Sequence, residues 1–159
     1  MKKQPKPRED DCSALMARRA EQAVIGVMVL APKAYGKITT LLSLEDFEES
    51  RCRRVMECAA RLQDRGVPMD SLTLLREMKL KEEQENRAAA FLAECAAAVP
   101  CTSNLSEYCR MVKEASNRRK LVSECQACVQ AVLSGTSAKE ASESLRAFVR
   151  SVMEREKLL

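Results

Sequence analysis

The chain has 159 residues, of which 46% are hydrophobic and only 3% are aromatic, and it contains no tryptophan. This length suits one domain whose core is built mainly from aliphatic, alanine, methionine and cysteine side chains. Four glycines and five prolines are too few for the many tight turns of an all-β fold, so the composition predicts an all-α protein. The net charge of +4 permits a nucleic-acid or acidic protein partner without requiring either.

The sequence at the amino terminus predicts a tail followed by a long helix. Residues 1–12 mix basic residues, prolines and acids, so we expect a disordered tail there. Ser13 is a candidate N-cap for a first helix that runs to about Leu30. Gly26 lies on this helix and would allow a second helix to approach closely. Pro32 then fits the first turn of a short second helix.

A turn and a basic helix follow. Ser43-x-x-Asp46 approximates a capping box, and Phe47 after it is expected to fill the core. Ser50 is a candidate N-cap for a third helix, and Gly66 is a suitable residue to end it. The outward face of this helix is predicted to be basic and to carry Arg51, Arg53, Arg54, Arg61 and Arg65.

Two further helices complete the predicted head, which covers residues 13–100. Asp70 is a candidate N-cap for a helix that continues to about Leu80. A polar stretch over 81–87 is followed by an alanine-rich helix over Ala88–Val99, which a proline closes.

The sequence pattern over residues 101–159 predicts a long antiparallel helical hairpin. One helix extends from Leu105 to about Leu133, Gly135 ends it, and Ser137-x-x-Glu140 opens the last helix as a capping box. The apolar stripes on these two helices are about one face wide, so we expect part of them to pack against another chain. The predicted oligomer interface comprises Leu105, Tyr108, Val112, Arg119, Val122, Val129, Leu145, Phe148 and Val152.

Eight cysteines do not predict a disulfide framework here. We expect a cytoplasmic protein, because the charged amino terminus lacks the apolar core of a signal peptide and no apolar run reaches the roughly 18 residues of a membrane span. Such thiols stay reduced and pack as small hydrophobic groups. Only Cys125-x-x-Cys128 has the spacing of a metal or redox pair, and the chain has no histidine to complete a zinc site. We expect no metal and no cofactor.

Five motifs occur in an order that is similar to one known family. They are AEQAVIG at 20–26, LEDF at 44–47, GVPMD at 66–70, VPCTSNLSEY at 99–108 and RRKL at 118–121. Together they resemble the amino-terminal domain of DnaB-type replicative DNA helicases. The chain departs from the family pattern at Cys52, where histidine is frequent, and at 81–87, where the family usually has two glycines.

The resemblance implies a domain for assembly and docking. In this family the hairpins pair, three dimers form a collar, and the collar presents a surface to primase and to helicase loaders. The resemblance makes Arg118, Arg119 and Lys120 candidates for contacts with an acidic partner or a neighbouring subunit. Because Arg119 also lies in the apolar stripe, we expect it to form a buried or interfacial ion pair.

No catalytic machinery is recognisable. Glycines occur only at 26, 36, 66 and 135, and none of them belongs to a phosphate-binding loop. Without histidine there is no Ser/His/Asp or Cys/His arrangement, and the acidic pairs Glu45-Asp46 and Glu82-Glu83 are expected to face solvent. We therefore expect no enzymatic activity in this chain, whereas a full-length parent of this family would be an ATP-dependent DNA helicase.

Two other functions fit the sequence. A stand-alone collar mimic, encoded by a phage or a mobile element, would regulate a host helicase. A small helical DNA-binding protein would use the basic tail and the arginine face over 51–65. The second hypothesis is weaker, because Glu57 and Asp64 interrupt the arginines and few aromatic residues are available to stack on bases.

Overall fold

The computed structural model describes residues 9–156, and within them it contains seven α-helices, three short 3₁₀ turns and no strand. The predicted all-α fold is confirmed. The helices are α1 (Glu9–Leu30), α2 (Tyr35–Leu41), α3 (Ser50–Asp64), α4 (Ser71–Met78), α5 (Glu82–Ala97), α6 (Leu105–Leu133) and α7 (Ala138–Glu156). The 3₁₀ turns are Pro32–Ala34, Leu44–Asp46 and Thr102–Asn104.

Helix α1 is the central helix of the head. Its residues Val24, Ile25 and Met28 are fully buried, and the helix packs against α3, α5 and α6. It begins at Glu9 and not at Ser13, so residues 9–12 of the predicted tail are helical. No proline or glycine occurs between these positions to stop the helix. The rest of the predicted tail, residues 1–8, lies outside the described residues.

The predicted close approach at Gly26 is confirmed. A Cβ atom added to this glycine would overlap the backbone carbonyl oxygen of Cys95 on α5 and a methyl group of Val99. Helices α1 and α5 therefore pack nearly backbone to backbone at this point. A residue with any side chain would force them apart.

Local caps of the head also follow the sequence rules. Gly66 has a φ of 65° after α3, in the left-handed region that favours glycine. Asp70 caps α4, because its carboxylate accepts a hydrogen bond from the amide of Thr73 at 2.8 Å. Phe47 is completely buried, as predicted.

Helix α5 starts earlier than predicted. It begins at Glu82, so the predicted polar stretch over 81–87 is largely helical. Acidic residues in its first turn favour this early start.

Helix α6 has two halves in different surroundings. Its first half is part of the head core, and its buried residues are Leu105, Cys109, Val112, Lys113, Ser116 and Asn117. Residues 121–156, which we call the outer hairpin, comprise the second half of α6 and the helix α7 that packs against it. The head core therefore extends beyond the boundary predicted at residue 100.

No single helix in the described part of the chain is long and apolar enough to cross a membrane. The segments Glu82–Ala97 and Thr102–Leu133 reach the required length and hydropathy only as a pair, and they are bent by 93° at the break between them.

Replacing Gly26 with alanine is expected to destabilise the fold by about 2 kcal/mol, because the overlap with the α5 backbone costs more than the gain in helix propensity. Urea denaturation followed by circular dichroism measures this change. The matched control is Gly36→Ala in α2, where an added Cβ meets no atom within 4 Å. That control is expected to be neutral or slightly stabilising, and equal effects of the two substitutions would contradict the packing argument.

Candidate functional site

A buried carboxylate joins the head to α6. Asp46 ends the 3₁₀ turn Leu44–Asp46 and is 0% exposed. Its Oδ2 accepts hydrogen bonds from the amide of Ser43 at 2.9 Å and from Nζ of Lys113 at 2.7 Å. Its Oδ1 accepts from Oγ of Ser116 at 2.7 Å and from Nζ of Lys120 at 2.9 Å. We call these five residues the Asp46 junction.

The Asp46 junction holds its carboxylate in the ionised form. Burial alone would raise the pKa of Asp46, but hydrogen bonds from Lys113, the Ser43 amide, Lys120 and Ser116 together bring it well below its usual range. Lys113 is almost completely buried and lies on the inner half of α6. The pair is therefore a buried ion pair with its remaining oxygen lone pairs satisfied, which is the arrangement that a buried charge requires.

A second polar contact lies beside the first. Arg119 donates from Nη2 to the backbone oxygen of Asp46 at 2.7 Å, and its Nη1 lies 3.3 Å from a carboxylate oxygen of Glu48. Arg119 and Glu48 pair within one chain and their side chains are 33% and 62% exposed, so this contact is not the expected buried or interfacial ion pair. Both contacts attach α6 to the turn that precedes α3.

The start of α3 is capped by a residue that is distant in sequence. The carboxylate of Glu21, on α1, accepts hydrogen bonds from the amides of Glu48 and Glu49 at 2.8 and 2.9 Å. The predicted N-cap at Ser50 is wrong, because Ser50 is already the first helical residue and Glu49 occupies the cap position. Burial of Glu21 raises its pKa despite these two amide donors.

The outer hairpin exposes apolar residues that the chain itself does not cover. On α6 the half-buried residues Glu124, Cys128 and Ala131 follow helical spacing, and the sulfur of Cys128 lies 3.7 Å from the backbone oxygen of Ala141 on α7. Val122 and Val129 lie on a different face of α6, and they are 57% and 56% exposed. Other large apolar residues exposed on the outer hairpin are Leu121, Val132, Leu133, Val149 and Met153.

The cysteines whose burial the structure describes divide into two groups. Cys52, Cys58, Cys95 and Cys109 are buried in the head, and burial raises the pKa of Cys109 to about 11. These thiols are protonated at neutral pH and pack as hydrophobic groups, as predicted. Cys101 and Cys125 are exposed and Cys128 is half-buried, so these three are not core residues of the chain. Among the described residues, no group of three or more histidine, cysteine or acidic side chains could hold a metal ion.

Comparison with known proteins identifies the family. The model of the family described as "DnaB-like helicase N terminal domain" matches residues 14–114, which is more than half of the chain. The chain belongs to this DnaB-like family. The match includes Asp46 and Lys113 and ends before the outer hairpin.

Curated relatives of this DnaB-like domain are replicative helicases. The replicative DNA helicase DnaB of Geobacillus stearothermophilus is 36% identical over 104 residues, which are 65% of this chain and 23% of that helicase. The replicative DNA helicase DnaC of Bacillus subtilis (strain 168) is 31% identical over the same shares of the two chains. The chain therefore spans about a quarter of the length of these relatives.

Solved structures show the same fold. The N-terminal domain of DnaB helicase from Mycobacterium tuberculosis has a TM-score of 0.70 and 26% identity, with 84% of this chain and 95% of that chain covered. The N-terminal domain from Helicobacter pylori has a TM-score of 0.64 and 21% identity, with 79% and 98% covered. A DnaB-like replicative helicase has a TM-score of 0.67 and 23% identity, with 87% of this chain and 34% of that chain covered. The Helicobacter pylori domain and this helicase are both described with their interactions with primase.

The structure separates the predicted interface residues of this DnaB-like domain into two groups. Leu105 and Val112 are buried in the head core, with Tyr108 packed beside them, so their surface is already covered within one chain. Arg119 belongs to the head contacts described above. The residues that remain for an interface are Val122 and Val129, which are exposed, and Leu145, Phe148 and Val152, which are half-buried. For these residues the interface stays a prediction.

The three predicted partner-binding residues have different surroundings. Lys120 is engaged with Asp46, and Arg119 with the turn before α3. Arg118 is exposed on α6 and pairs with Glu114 one turn earlier, at 2.8 Å. Arg118 alone keeps a largely solvent-facing charge.

Sequence reasoning missed three residues. Asp46 was expected to face solvent and is buried, while Lys113 and Glu21 were not singled out for a polar role. The one available signal for Asp46 was its capping box, which the structure confirms. A capping box, however, predicts a local partner and not a lysine 67 residues away.

The substitution Asp46→Asn is expected to lower the free energy of unfolding by about 3 kcal/mol at pH 7, because it leaves the buried Lys113 without a carboxylate. Chemical denaturation measures the loss. The control is Asp70→Asn on the exposed cap of α4, where asparagine caps as well as aspartate. A loss below that of the control would contradict the proposed importance of the Asp46 junction.

The difference between the wild type and Asp46→Asn is also expected to depend on pH. Because the folded-state pKa of Asp46 is lowered, its contribution is complete above the unfolded pKa of about 3.9 and is lost as the pH falls below that value. The raised pKa of Glu21 acts in the opposite direction but is present in both proteins. Denaturation at pH 3 should therefore show a difference about 1 kcal/mol smaller than at pH 7. An unchanged difference would refute the assignment.

Proposed function

We propose that this chain is a non-catalytic assembly and docking domain of a DnaB-like replicative helicase that acts in DNA replication in the cytoplasm. In this proposal the outer hairpin pairs with the hairpin of a second copy, the pairs assemble into a collar of three dimers, and the assembled domains bind primase and a helicase loader. Membership of the DnaB-like helicase N-terminal domain family supports the helicase role. The exposed apolar faces of the outer hairpin support the pairing.

The apolar exposure is the observation that carries this proposal. Val122, Val129 and Leu133 are spaced by seven and four residues, so they form one stripe along α6. On α7, Val149 and Met153 are one helical turn apart and are 40% and 60% exposed. Exposed apolar stripes of this kind on a small domain are typical of a protein interface. The head, in contrast, buries most of its apolar residues.

A charge placed in the stripe is expected to prevent self-association. The double substitution Val129→Glu and Met153→Glu changes two exposed residues, so the fold should persist, as circular dichroism can verify. Size-exclusion chromatography with light scattering should show the wild type as a dimer or larger and the variant as a monomer. Leu72→Glu is the control, because Leu72 is 74% exposed on α4 in the head. A wild type that is monomeric at all concentrations would contradict the pairing.

Primase is proposed as a partner because two solved structures with this fold are described with primase interactions. Arg118 is the candidate contact on this chain, since it is the one residue of the predicted basic run that remains largely exposed. An exposed arginine suits a bidentate contact with a carboxylate of the partner.

The substitution Arg118→Glu is expected to weaken binding of the carboxy-terminal domain of a primase by about tenfold, because it replaces attraction to an acidic group with repulsion. Isothermal titration calorimetry measures this. Arg110→Glu is a matched control, because Arg110 is nearly as exposed on α6, at 57% against 65%, and also pairs with a neighbouring glutamate, at 2.7 Å. Equal losses for both variants would show a nonspecific charge effect, and no loss would remove Arg118 from the contact.

The hypothesis of a DNA-binding arginine face loses support in the structure. Arg61 and Arg65 both pair with Glu77, and Arg51 pairs with Glu49 at 2.8 Å. Arg53 donates to the backbone oxygen of Phe47 at 2.7 Å. These contacts neutralise or occupy most of the arginines that would otherwise contact phosphates.

A further inference from the structure

A small pocket on the head lies between the end of α3 and α4. It has a volume of about 370 Å³, and we call it the α3–α4 pocket. Its lining includes Leu62, Arg65, Val67, Arg76, Glu77 and Lys79. None of these residues belongs to the outer hairpin or to the run 118–120. The pocket is therefore separate from the surfaces proposed above for pairing and for primase binding.

The one carboxylate among the described residues that line the pocket is already paired with two arginines. Oε1 of Glu77 accepts a hydrogen bond from Nε of Arg61 at 2.8 Å, and its Oε2 pairs with Arg65. These contacts lower the pKa of Glu77, so its carboxylate is ionised and shared between two guanidinium groups. One negative charge between two positive charges leaves this side of the pocket positive.

Arg76 and Lys79 add two cations to the lining. Arg76 lies on α4, Lys79 follows the last residue of that helix, and both are exposed. Neither side chain forms an ion pair within residues 9–156. Their charges are therefore available to a ligand, unlike those of most arginines on α3, which contact carboxylates or carbonyl oxygens.

The backbone at Lys79 has a conformation that is unusual for lysine. Its φ is 50° and its ψ is 49°, and among the described residues it is the one residue other than glycine with a positive φ. Glycine and asparagine adopt this left-handed conformation at a lower cost and are the usual residues at such a helix end. Residues held in costly backbone conformations cluster at functional sites. Here the residue held in that conformation supplies one of the two unpaired cations of the pocket.

We propose that the α3–α4 pocket binds a phosphate group, with Arg65, Arg76 and Lys79 as its cationic contacts. Phosphate oxygens accept charge-assisted hydrogen bonds, and one guanidinium can donate two of them at once. Leu62 and Val67 supply an apolar surface beside the cations for the rest of the molecule that carries the phosphate. The same contacts serve a free phosphate, a nucleotide or the backbone of a nucleic acid, and the experiment separates these sources.

Amide NMR of the isotope-labelled whole chain tests the proposal. The probes are inorganic phosphate, a nucleoside monophosphate and a single-stranded DNA of about 12 nucleotides. Sodium chloride at equal ionic strength is the control. We expect the phosphate probes to shift the amide resonances of Val67, Thr73 and Lys79 in a saturable way, with an affinity that falls as salt is raised. Similar affinities for phosphate and nucleotide would identify a small phosphate as the ligand, and much tighter binding of the DNA would identify a nucleic-acid backbone.

The substitution Lys79→Asn distinguishes a phosphate contact from a purely structural lysine. Asparagine tolerates the left-handed backbone, so the fold should persist with equal or higher stability, as urea denaturation can verify. The affinity for phosphate should fall about fivefold, and Arg76→Gln should have a similar effect. Lys81→Asn is the matched control, because it removes the same charge at an exposed position outside the pocket lining, and it should bind as the wild type does.

Several results would overturn the proposal. Equal shifts with phosphate and with chloride would show a general effect of ions. Equal losses for Lys79→Asn and Lys81→Asn would show an effect of net charge without a site. A phosphate affinity that Lys79→Asn and Arg76→Gln leave unchanged would limit Lys79 to a structural role at the negative end of the α4 dipole. Binding of a polyglutamate peptide without binding of any phosphate probe would identify an acidic protein as the partner.

Discussion

The buried carboxylate of Asp46 is the contact on which the position of α6 depends. A buried charge is tolerated only when all of its partners are in place, and here Lys113, Ser116 and Lys120 approach from α6 while Ser43 approaches from the turn itself. Donors on successive turns of α6 must converge on two oxygens. The junction therefore fixes both the rotation of α6 about its axis and its position along that axis, which apolar packing alone would define less narrowly.

A second carboxylate extends this polar connection to α1 and α3. The carboxylate of Glu21 accepts hydrogen bonds from two backbone amides just before α3. The guanidinium of Arg119, beside the same turn, lowers the cost of burying the negative charge of Glu21. Three helices thus meet at one short turn through side chains that are charged and mostly buried. Such a network contributes less to net stability than an apolar core of equal volume, but it penalises every arrangement in which a charge loses its partner. Specificity of arrangement is the property that the proposed assembly role requires.

Local rules predicted much of this fold, and long-range partners explain what they missed. Gly66 and Asp70 have their predicted roles because each depends on nearby backbone geometry. Gly26 also has its predicted role, although the helix that approaches it is distant in the sequence. The burial of Asp46 could not be predicted, since its lysine partner lies 67 residues away and a charged residue in a turn normally faces solvent. For a related reason, the sequence could not show which of the predicted interface residues on α6 are covered by the head and which remain exposed. An apolar stripe has the same spacing whether the head or a second chain covers it.

Helix α6 connects the Asp46 junction to the outer hairpin without a break. The helix has 29 residues with no glycine or proline, so it contains no residue of the kind at which helices usually bend. Lys113 and Val129 are separated by about 24 Å along its axis, at about 1.5 Å per residue. A small rotation at the Asp46 junction would therefore displace the outer hairpin by a larger distance. A closed ring of identical subunits requires one fixed angle between each interface and the body of the subunit. If the proposed collar forms, that angle is determined inside each chain, at Asp46, before any subunit meets another.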